Sequence, residues 1–356
     1  MSTGDAFWDD RRIVIPSEFD SLLRGAEETG ALQRRAERAR IAVFGRRMRV
    51  YAPIYLSNLC VNECLYCGFR LRNRDATRRT ITHDELRGEI ASVVAAGHSH
   101  LLLVSGEVPS IVTESYLLRA LAVAAEFPQI RRVDLEIGPL PHSELANLAR
   151  AGFHTFVLYQ ETYDRDAYRK WHVFGPKSDY ERRRAAVSEA LEAGWSGVAL
   201  GVLLGIAKDW RAELSAMVMH ATELQQRFQI VPGFSLPRFR PAEGIAGDIE
   251  TSAVSDDDFA RALACLRLAM PDAEIGLSTR ESAALRDALL SSGISSVSAG
   301  SKTNPGGYLA APDSTKQFEI ADERSTPEFI RVLLEKGYDP FPFRLAPASR
   351  TAQVAW

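Results

Sequence analysis

The sequence predicts an α/β fold: a TIM-type (β/α)8 barrel with an N-terminal helical extension and a C-terminal tail. Eight short runs rich in β-branched and apolar residues alternate with longer helical patterns, which is typical of βαβ units around a parallel sheet. The chain also has 356 residues, 46% of them hydrophobic, enough to bury one large core or two modest ones. The alternative is an open doubly wound sheet, but the glycine-rich dinucleotide turn usual in that fold follows none of the early strands.

The predicted elements follow one another along the chain. Residues 1–45 form the helical extension, where ALQRRAERARIAVFG is the clearest amphipathic stretch. Residues 46–325 form the barrel, with apolar strands such as HLLLVSG and with helices that carry apolar residues every three or four positions. Residues 326–356 contain one further helix, TPEFIRVLLEKG, and a proline-rich tail that we expect to be irregular. Strands are predicted at residues 50–57, 100–106, 132–138, 153–160, 197–205, 230–236, 274–279 and 295–301, and barrel helices at residues 83–97, 115–127, 142–152, 181–194, 214–228 and 255–270.

Charge and hydropathy exclude several classes of partner. A formal net charge of -3 and a pI near 6.2 give no broad basis for binding nucleic acid, and we interpret arginine clusters such as RRAERAR (34–40) as solvated helix faces. No apolar run approaches the ~18 residues needed to cross a bilayer, and MSTGDAFWDDRR lacks the apolar core of a signal peptide. We therefore expect a cytoplasmic protein that binds neither nucleic acid nor membrane.

Three of the four cysteines, Cys60, Cys64 and Cys67, lie within eight residues, in YLSNLCVNECLYCGF. In a reducing compartment such a group favours metal binding or catalysis over a disulfide. Zinc is one alternative, but structural zinc usually takes four ligands, and the remaining thiol, Cys265, lies in an apolar helix as a small core residue. Three close thiolates suit a [4Fe-4S] cluster with one iron left without a protein ligand.

The C-x3-C-x2-C spacing, with Tyr66 before the last cysteine, resembles the signature of the radical S-adenosylmethionine superfamily. Over roughly residues 45–335 the chain is most similar to the aromatic amino-acid lyases, chiefly the 2-iminoacetate synthases of thiamine thiazole biosynthesis. The resemblance implies a [4Fe-4S] cluster that cleaves S-adenosylmethionine to a 5′-deoxyadenosyl radical, which fragments an aromatic L-amino acid. For tyrosine the products would be 2-iminoacetate and p-cresol. The segments that carry the similarity are YLSNLC, YCGF, LLLVSGE, YQETYDRDAY, PRFRPAEG, LSTRES, SAGSKTNPGGY and QFEIADERS.

The first expected cofactor residues follow the first three strands. The resemblance implies that Tyr66 packs on the adenine of S-adenosylmethionine. Gly106 lets the backbone approach closely at the end of the second strand, and Glu107 or a nearby carbonyl would receive the ammonium group. Glu136 is an acid in an apolar strand, where burial without a partner is costly, so we expect it to point at a polar ligand. The resemblance suggests the ribose or the methionyl part.

Further expected cofactor residues follow the fourth strand. Gln160 and Glu161 would contact a ligand or shield the radical, and helix capping by Thr162 is an alternative explanation of YQET. Arg183 resembles an arginine that reaches the carboxylate of S-adenosylmethionine. Related lyases tend to have a second basic residue six positions on, where this chain has Glu189.

The expected substrate residues follow strands one and six to eight. An amino acid must be held by its carboxylate, which a planar guanidinium binds through two hydrogen bonds. Among Arg238, Arg240 and Arg280, we expect Arg280 to hold this group. Arg280 and Ser298, its expected hydrogen-bonding partner, resemble substrate contacts of the tryptophan lyase. Tyr55 resembles a substrate-site tyrosine, and the alternative is that it is a plain core residue.

An exposed Arg280 paired with a nearby acid such as Glu281 is the alternative for that arginine, although adjacent residues in extended chain point to opposite faces.

Two other functions remain open at this point. One is a tryptophan lyase that forms 3-methyl-2-indolic acid, suggested by the divergent tail PFPFRLAPASRTAQVAW. The other is an iron-sulfur redox sensor. The hydrogenase-maturing tyrosine lyase carries a second cysteine-bound cluster in a C-terminal extension, and this chain has no cysteine after Cys265, so we do not expect that activity. The resemblance also implies a flavodoxin or ferredoxin-type electron donor and a thiazole synthase partner.

Overall fold

The computed structural model describes residues 16–242, 251–309 and 314–341. Eight parallel strands close into a barrel, because β1 pairs on one side with β2 and on the other with β8. The predicted (β/α)8 barrel is thus confirmed, and the open-sheet alternative is excluded. The strands are β1 (Arg47–Ser57), β2 (His100–Ser105), β3 (Arg132–Glu136), β4 (Thr155–Val157), β5 (Gly197–Gly201), β6 (Gly233–Ser235), β7 (Ile275–Leu277) and β8 (Ser296–Ser298).

Helices surround the barrel, and the apolar core lies between them and the strands. Side-chain caps begin several of them: the Thr82 hydroxyl accepts from the Glu85 N–H, and the Glu85 carboxylate accepts from the Thr82 N–H. The helices are α1 (Pro16–Arg24), α2 (Thr29–Phe44), α3 (His83–Ala95), α4 (Glu114–Ala125), α5 (His142–Ala151), α6 (Arg165–Trp171), α7 (Tyr180–Glu192), α8 (Trp210–Phe228), α9 (Asp256–Ala269), α10 (Ala283–Leu289) and α11 (Thr326–Glu335). No helix within the described ranges is long and apolar enough to cross a membrane.

Several structural details differ from the predictions. The short helices α6 and α10 were not predicted, because seven residues hold less than two full repeats of a helical pattern. The expected irregular tail begins with a ninth strand, β9 (Asp339–Phe341), which pairs in parallel with the first residues of β1. Pro340 is tolerated there because β9 lies at an edge. Residues 1–15 of the extension and 342–356 of the tail lie outside the described residues.

The N-terminal helices are anchored by a buried arginine that the sequence did not reveal. Arg40 was interpreted as part of a solvated face, yet its side chain is fully buried. Its guanidinium donates to the carbonyls of Ile294 (2.7 Å), Gly45 (2.8 Å) and Arg47 (2.7 Å). It therefore satisfies backbone acceptors where α2 meets the start of β1, which explains why a charge is tolerated in the core.

Candidate active site

A cavity opens at the carboxyl ends of the barrel strands. In TIM-type barrels this end carries the ligand-binding loops. Seven of the predicted site residues line it, namely Tyr55, Tyr66, Cys67, Glu136, Glu161, Arg280 and Ser298. The other predicted residues, Cys60, Cys64, Gly106, Glu107, Gln160 and Arg183, are not part of the lining. Five of these lie on loops that follow the strands, and Arg183 lies on α7.

The three clustered cysteines lie on the loop between β1 and α3, and none forms a disulfide. Backbone N–H groups of Asn62 and Phe69 point at the sulfurs of Cys60 (3.5 Å) and Cys67 (3.4 Å). Burial raises the pKa of all three thiols, that of Cys67 to about 12. Three thiolates in this setting need compensating positive charge, which bound iron supplies.

The number of donors distinguishes a structural zinc site from an iron-sulfur cluster. Structural zinc takes four protein donors in a tetrahedral shell. The loop supplies three cysteines, which suit a [4Fe-4S] cluster with one iron left without a protein ligand. The donor set therefore fits the cluster.

Backbone contacts fix the shape of this loop. Cys64 forms an antiparallel bridge with His172, which immediately follows α6. The neighbouring Glu63 donates its N–H to the Phe174 carbonyl at 2.9 Å. On the other side, a Cβ added at Gly106 would lie 2.3 Å from the carbonyl oxygen of Leu59. The close approach that glycine permits at this position is therefore to the cysteine loop itself.

Glu107 is held by two side chains behind the cysteine loop. Its carboxylate accepts hydrogen bonds from Arg183 (2.7 Å) and from the Asn62 amide (2.8 Å). Arg183 also donates to the Tyr159 carbonyl at 2.7 Å. Burial opposes ionisation of Glu107, but the positive charges of Arg183 and Lys177 outweigh it and lower its pKa. The carboxylate is therefore ionised and fixed, with lone pairs left for a further donor.

Lys177 belongs to this site, and the sequence interpretation missed it. It lies in a three-residue 3-10 helix, Pro176–Ser178, and its ammonium donates to the Glu161 carboxylate at 2.8 Å. It also lies 5.8 Å from the centre of the Tyr66 ring. The available signal was a lysine in a short loop shortly after YQET, on the ligand side of the barrel. Burial and Arg183 act to lower the pKa of Lys177, but Glu161 and other negative groups raise it overall.

The YQET segment is strained at Glu161, whose φ is 70°. Its N–H donates to the Gly201 carbonyl and its carbonyl accepts from Leu203, and these bonds hold the left-handed conformation. Gln160 is buried outside the cavity lining, and its amide donates to the Tyr180 carbonyl at 3.5 Å.

The capping alternative for YQET was wrong. Asp164, and not Thr162, caps α6. The Thr162 hydroxyl instead accepts from the Asp164 N–H at 3.1 Å. Glu189, at the position of the expected second basic residue, pairs with Arg182 on α7.

Tyr66 is oriented by His172. The Tyr66 hydroxyl and His172 Nε2 are 2.9 Å apart, and His172 Nδ1 lies 2.9 Å from the Tyr168 carbonyl. A carbonyl only accepts, so Nδ1 carries the hydrogen. Burial and two nearby cations keep the pKa of His172 well below its usual value, so the ring is neutral. Nε2 therefore accepts the hydrogen bond that the Tyr66 hydroxyl donates.

Arg280 differs from the two other arginines that follow strands six and seven. Arg238 and Arg240 both pair with the buried carboxylate of Glu281. No acid among the described residues pairs with Arg280, which lines the cavity and stacks on Phe318. The alternative in which Glu281 neutralises Arg280 was therefore wrong. The guanidinium is therefore available to pair with an anion in the cavity, and a ligand carboxylate would match its geometry.

Tyr55 and Ser298 face the same cavity as Arg280. Tyr55 is buried in a small apolar cluster with Phe69, and its hydroxyl donates to the Gln317 side chain at 2.7 Å, so it belongs both to the core and to the cavity wall. Gln317 and Phe318 were missed as lining residues, although they lie in QFEIADERS, one of the segments quoted for the resemblance. Only the fold brings that segment next to β1.

Two family models match the chain, and two curated relatives are similar to it over most of its length. The Radical SAM superfamily model matches residues 54–215, and the Biotin and Thiamin Synthesis associated domain matches residues 235–339. The 2-iminoacetate synthase of Escherichia coli (strain K12) is 35% identical over 311 residues, which cover 87% of this chain and 81% of that protein. That of Salmonella typhimurium is 34% identical, with the same coverage of 87% and 81%.

Solved structures give a similar result. A crystal structure of HydG, a maturase of the [FeFe]-hydrogenase, has a TM-score of 0.87 and 37% identity, covering 92% of this chain and 72% of HydG. HydG from Carboxydothermus hydrogenoformans has a TM-score of 0.86 and 34% identity, covering 94% of this chain and 77% of that one.

Proposed function

The chain belongs to the radical SAM superfamily as an enzyme of the 2-iminoacetate synthase type, and we propose that it cleaves L-tyrosine to 2-iminoacetate and p-cresol. Its cofactors are a [4Fe-4S] cluster and S-adenosylmethionine, which together supply a 5′-deoxyadenosyl radical when bound. The protein's task is then to bind, orient and enclose the reactants. The identity to two 2-iminoacetate synthases over most of the chain supports tyrosine as the substrate.

Cys60, Cys64 and Cys67 would hold the cluster. Tyr66 would pack on the adenine, with its hydroxyl fixed by His172. Glu107 would receive the ammonium group through its remaining lone pairs, since Arg183 already holds it ionised. We assign no ligand contact to Gln160, whose amide is engaged with Tyr180.

Two further cavity residues, Glu136 and Glu161, would meet the polar parts of S-adenosylmethionine.

The unpaired guanidinium of Arg280 is the observation that carries the proposal. The substrate carboxylate would pair with it, while Ser298 and Tyr55 offer hydroxyl groups in the same cavity. With its carboxylate paired to Arg280, the substrate would present its amino group to the radical. The surrounding walls would exclude water and oxygen from the reaction.

The test is product identification after anaerobic reconstitution with iron, sulfide and S-adenosylmethionine. With L-tyrosine we expect p-cresol and glyoxylate, the hydrolysis product of 2-iminoacetate, each in proportion to the 5′-deoxyadenosine formed. L-tryptophan is the matched control substrate. If tryptophan yields 3-methyl-2-indolic acid while tyrosine yields no cresol, the tyrosine assignment is overturned and the tryptophan lyase takes its place.

Three further assignments belong to this proposal. A flavodoxin or ferredoxin-type protein would donate the electron, and a thiazole synthase would consume the unstable imine. A reducing, cytoplasmic location would keep the cluster cysteines as thiols, consistent with the absence of disulfides among the described cysteines. Anaerobic co-purification tests the two partners.

A further inference from the structure

Three exposed apolar side chains lie together beside the cysteine loop. Leu71, Val173 and Phe174 keep 44%, 47% and 51% of their surface exposed, although they come from segments about 100 residues apart. Together with Arg72 and Arg74 we call them the cluster-side patch. Single exposed apolar residues are ordinary, whereas an apolar group rimmed by polar residues is typical of an interaction surface.

Glu63 ties the two segments of the patch to the cysteine loop. Its backbone exchanges hydrogen bonds with Val173 (3.2 Å) and Phe174 (2.9 Å). Its buried carboxylate accepts from the Arg72 N–H at 2.7 Å and from the Arg70 guanidinium at 2.7 Å. Glu63 immediately precedes Cys64 in the chain, so the residue that holds the two patch segments together is adjacent to a proposed cluster ligand.

The patch and the cavity lie on different surfaces of this loop. Tyr66 and Cys67 line the cavity, where the proposed ligands bind, whereas no residue of the cluster-side patch does. The patch residues face solvent instead. A partner on the patch would therefore approach the cysteine loop without displacing S-adenosylmethionine or substrate.

The patch carries positive charge. The Arg72 guanidinium lies 5.8 Å from the centre of the Phe174 ring, which places a cation against the apolar surface. Arg72 and Arg74 are exposed, and neither pairs with an acid among the residues that the structure describes. The segment RLRNRD holds three arginines and one acid. An apolar centre with a basic rim complements a partner whose own apolar contact is surrounded by carboxylates.

We propose that the cluster-side patch docks a small, acidic electron-carrier protein that reduces the cluster. The inference rests on the proposed function, because the cluster must be reduced before it can supply the radical. One electron passes from the reduced carrier to the oxidised cluster, so the carrier is oxidised by one electron and no bond is made or broken. A small, salt-sensitive interface suits a partner that must bind and leave in each cycle.

The test compares patch variants with matched controls, using a reduced bacterial flavodoxin as the probe. The patch variants are Arg72→Glu with Arg74→Glu, and separately Phe174→Ser. The controls are Arg38→Glu, at an exposed arginine of α2, and Leu334→Ser, at a leucine of α11 that is 50% exposed. Iron content and melting temperature verify that each reconstituted variant keeps its cluster and fold. The readouts are the flavodoxin Kd and the rate of cluster reduction in stopped flow, with flavodoxin or dithionite as reductant.

We expect each patch variant to weaken flavodoxin binding about tenfold and to slow reduction by flavodoxin to a similar extent. Reduction by dithionite, which needs no docking, should stay within about twofold of the parent. High salt should erase the effect of the arginine changes, because it screens exposed charges. The controls should behave as the parent does.

Two results overturn the proposal: unchanged flavodoxin affinity in both patch variants, or an equal loss of reduction with flavodoxin and with dithionite. The binding measurement needs no turnover, so it stands apart from the proposed function. A parent that binds flavodoxin through the patch but yields no product from tyrosine would contradict the substrate assignment alone.

Discussion

The guanidinium carbon of Arg280 lies 3.4 Å from the centre of the Phe318 ring. Stacking occupies the face of the guanidinium and leaves its N–H groups, which lie in the plane, free to donate into the cavity. Burial lowers the pKa of Arg280 without neutralising it, because an arginine stays charged even after a large shift. Phe318 therefore orients a guanidinium that forms no ion pair with an acid among the described residues.

Replacing Arg280 should separate substrate binding from the rest of the chemistry. Arg280→Gln removes the charge and the paired donors, which are worth about 3 kcal/mol, so kcat/KM for the amino acid should fall roughly a hundredfold. Arg280→Lys keeps the positive charge but loses the two parallel N–H donors and the stacking on Phe318, so it should recover only part of the lost kcat/KM. The control is Arg240→Gln, since Arg240 also lines the cavity but is paired with Glu281. Equal losses in the Arg240 and Arg280 variants would contradict the assignment.

Replacing a cysteine of the loop should have a different effect from replacing the buried cysteine of α9. Cys64→Ala should abolish cluster assembly, because two thiolates cannot hold the cubane in place. Cys265→Ala removes a thiol that is fully buried in α9 and should leave iron and sulfide content unchanged while costing about 1 kcal/mol of stability. Iron, zinc and sulfide analysis of the reconstituted proteins checks both. Stoichiometric zinc in place of iron would refute the cluster assignment.

The barrel and the cysteine loop could be predicted because their signals are local. Strands such as HLLLVS are largely apolar, and Cys60, Cys64 and Cys67 lie in one short segment. Partners distant in sequence could not be predicted in this way. The Arg183–Glu107 ion pair joins residues 76 positions apart, and nothing in either segment specifies the other.

Residues whose roles depend on irregular backbone were also hidden. Lys177 lies in a three-residue helix, too short for any periodic pattern. Phe318 lies in a loop, and only the closed barrel places it against Arg280.

Arg40 was misinterpreted because an arginine that binds backbone carbonyls looks, in sequence, like one that faces water.

The hydrogen bond between Tyr66 and His172 makes a third prediction. His172→Phe leaves the Tyr66 hydroxyl without its acceptor, which costs roughly 1–3 kcal/mol and frees the ring to reorient. S-adenosylmethionine affinity, measured by equilibrium dialysis, should weaken about tenfold. Tyr66→Phe keeps the aromatic ring but removes the hydroxyl. The double variant, Tyr66→Phe with His172→Phe, should lose less affinity for S-adenosylmethionine than the sum of the two single losses. Strictly additive losses would show that His172 does not position Tyr66. Iron content serves as the control for the neighbouring loop.

Glu136 makes a prediction about pH. It lines the cavity, where burial raises its pKa to about 7 and the nearby Glu161 carboxylate adds to the increase. Between the ordinary glutamate pKa and 7, the folded protein keeps a proton that the unfolded chain has released. The free energy of unfolding should therefore fall as pH rises through this window.

Glu136→Gln removes that proton exchange. Relative to the parent, the variant should gain stability between about pH 4.5 and pH 8, by roughly 3 kcal/mol, because the parent alone must bury a growing negative charge. Denaturant unfolding at several pH values measures the difference between the two proteins. Difference infrared spectroscopy gives an independent readout: a protonated carboxyl band should titrate near pH 7 and be missing from the variant. A band that disappears near the ordinary glutamate pKa, with parallel stability curves, would show that water enters the cavity and solvates Glu136 before any ligand binds.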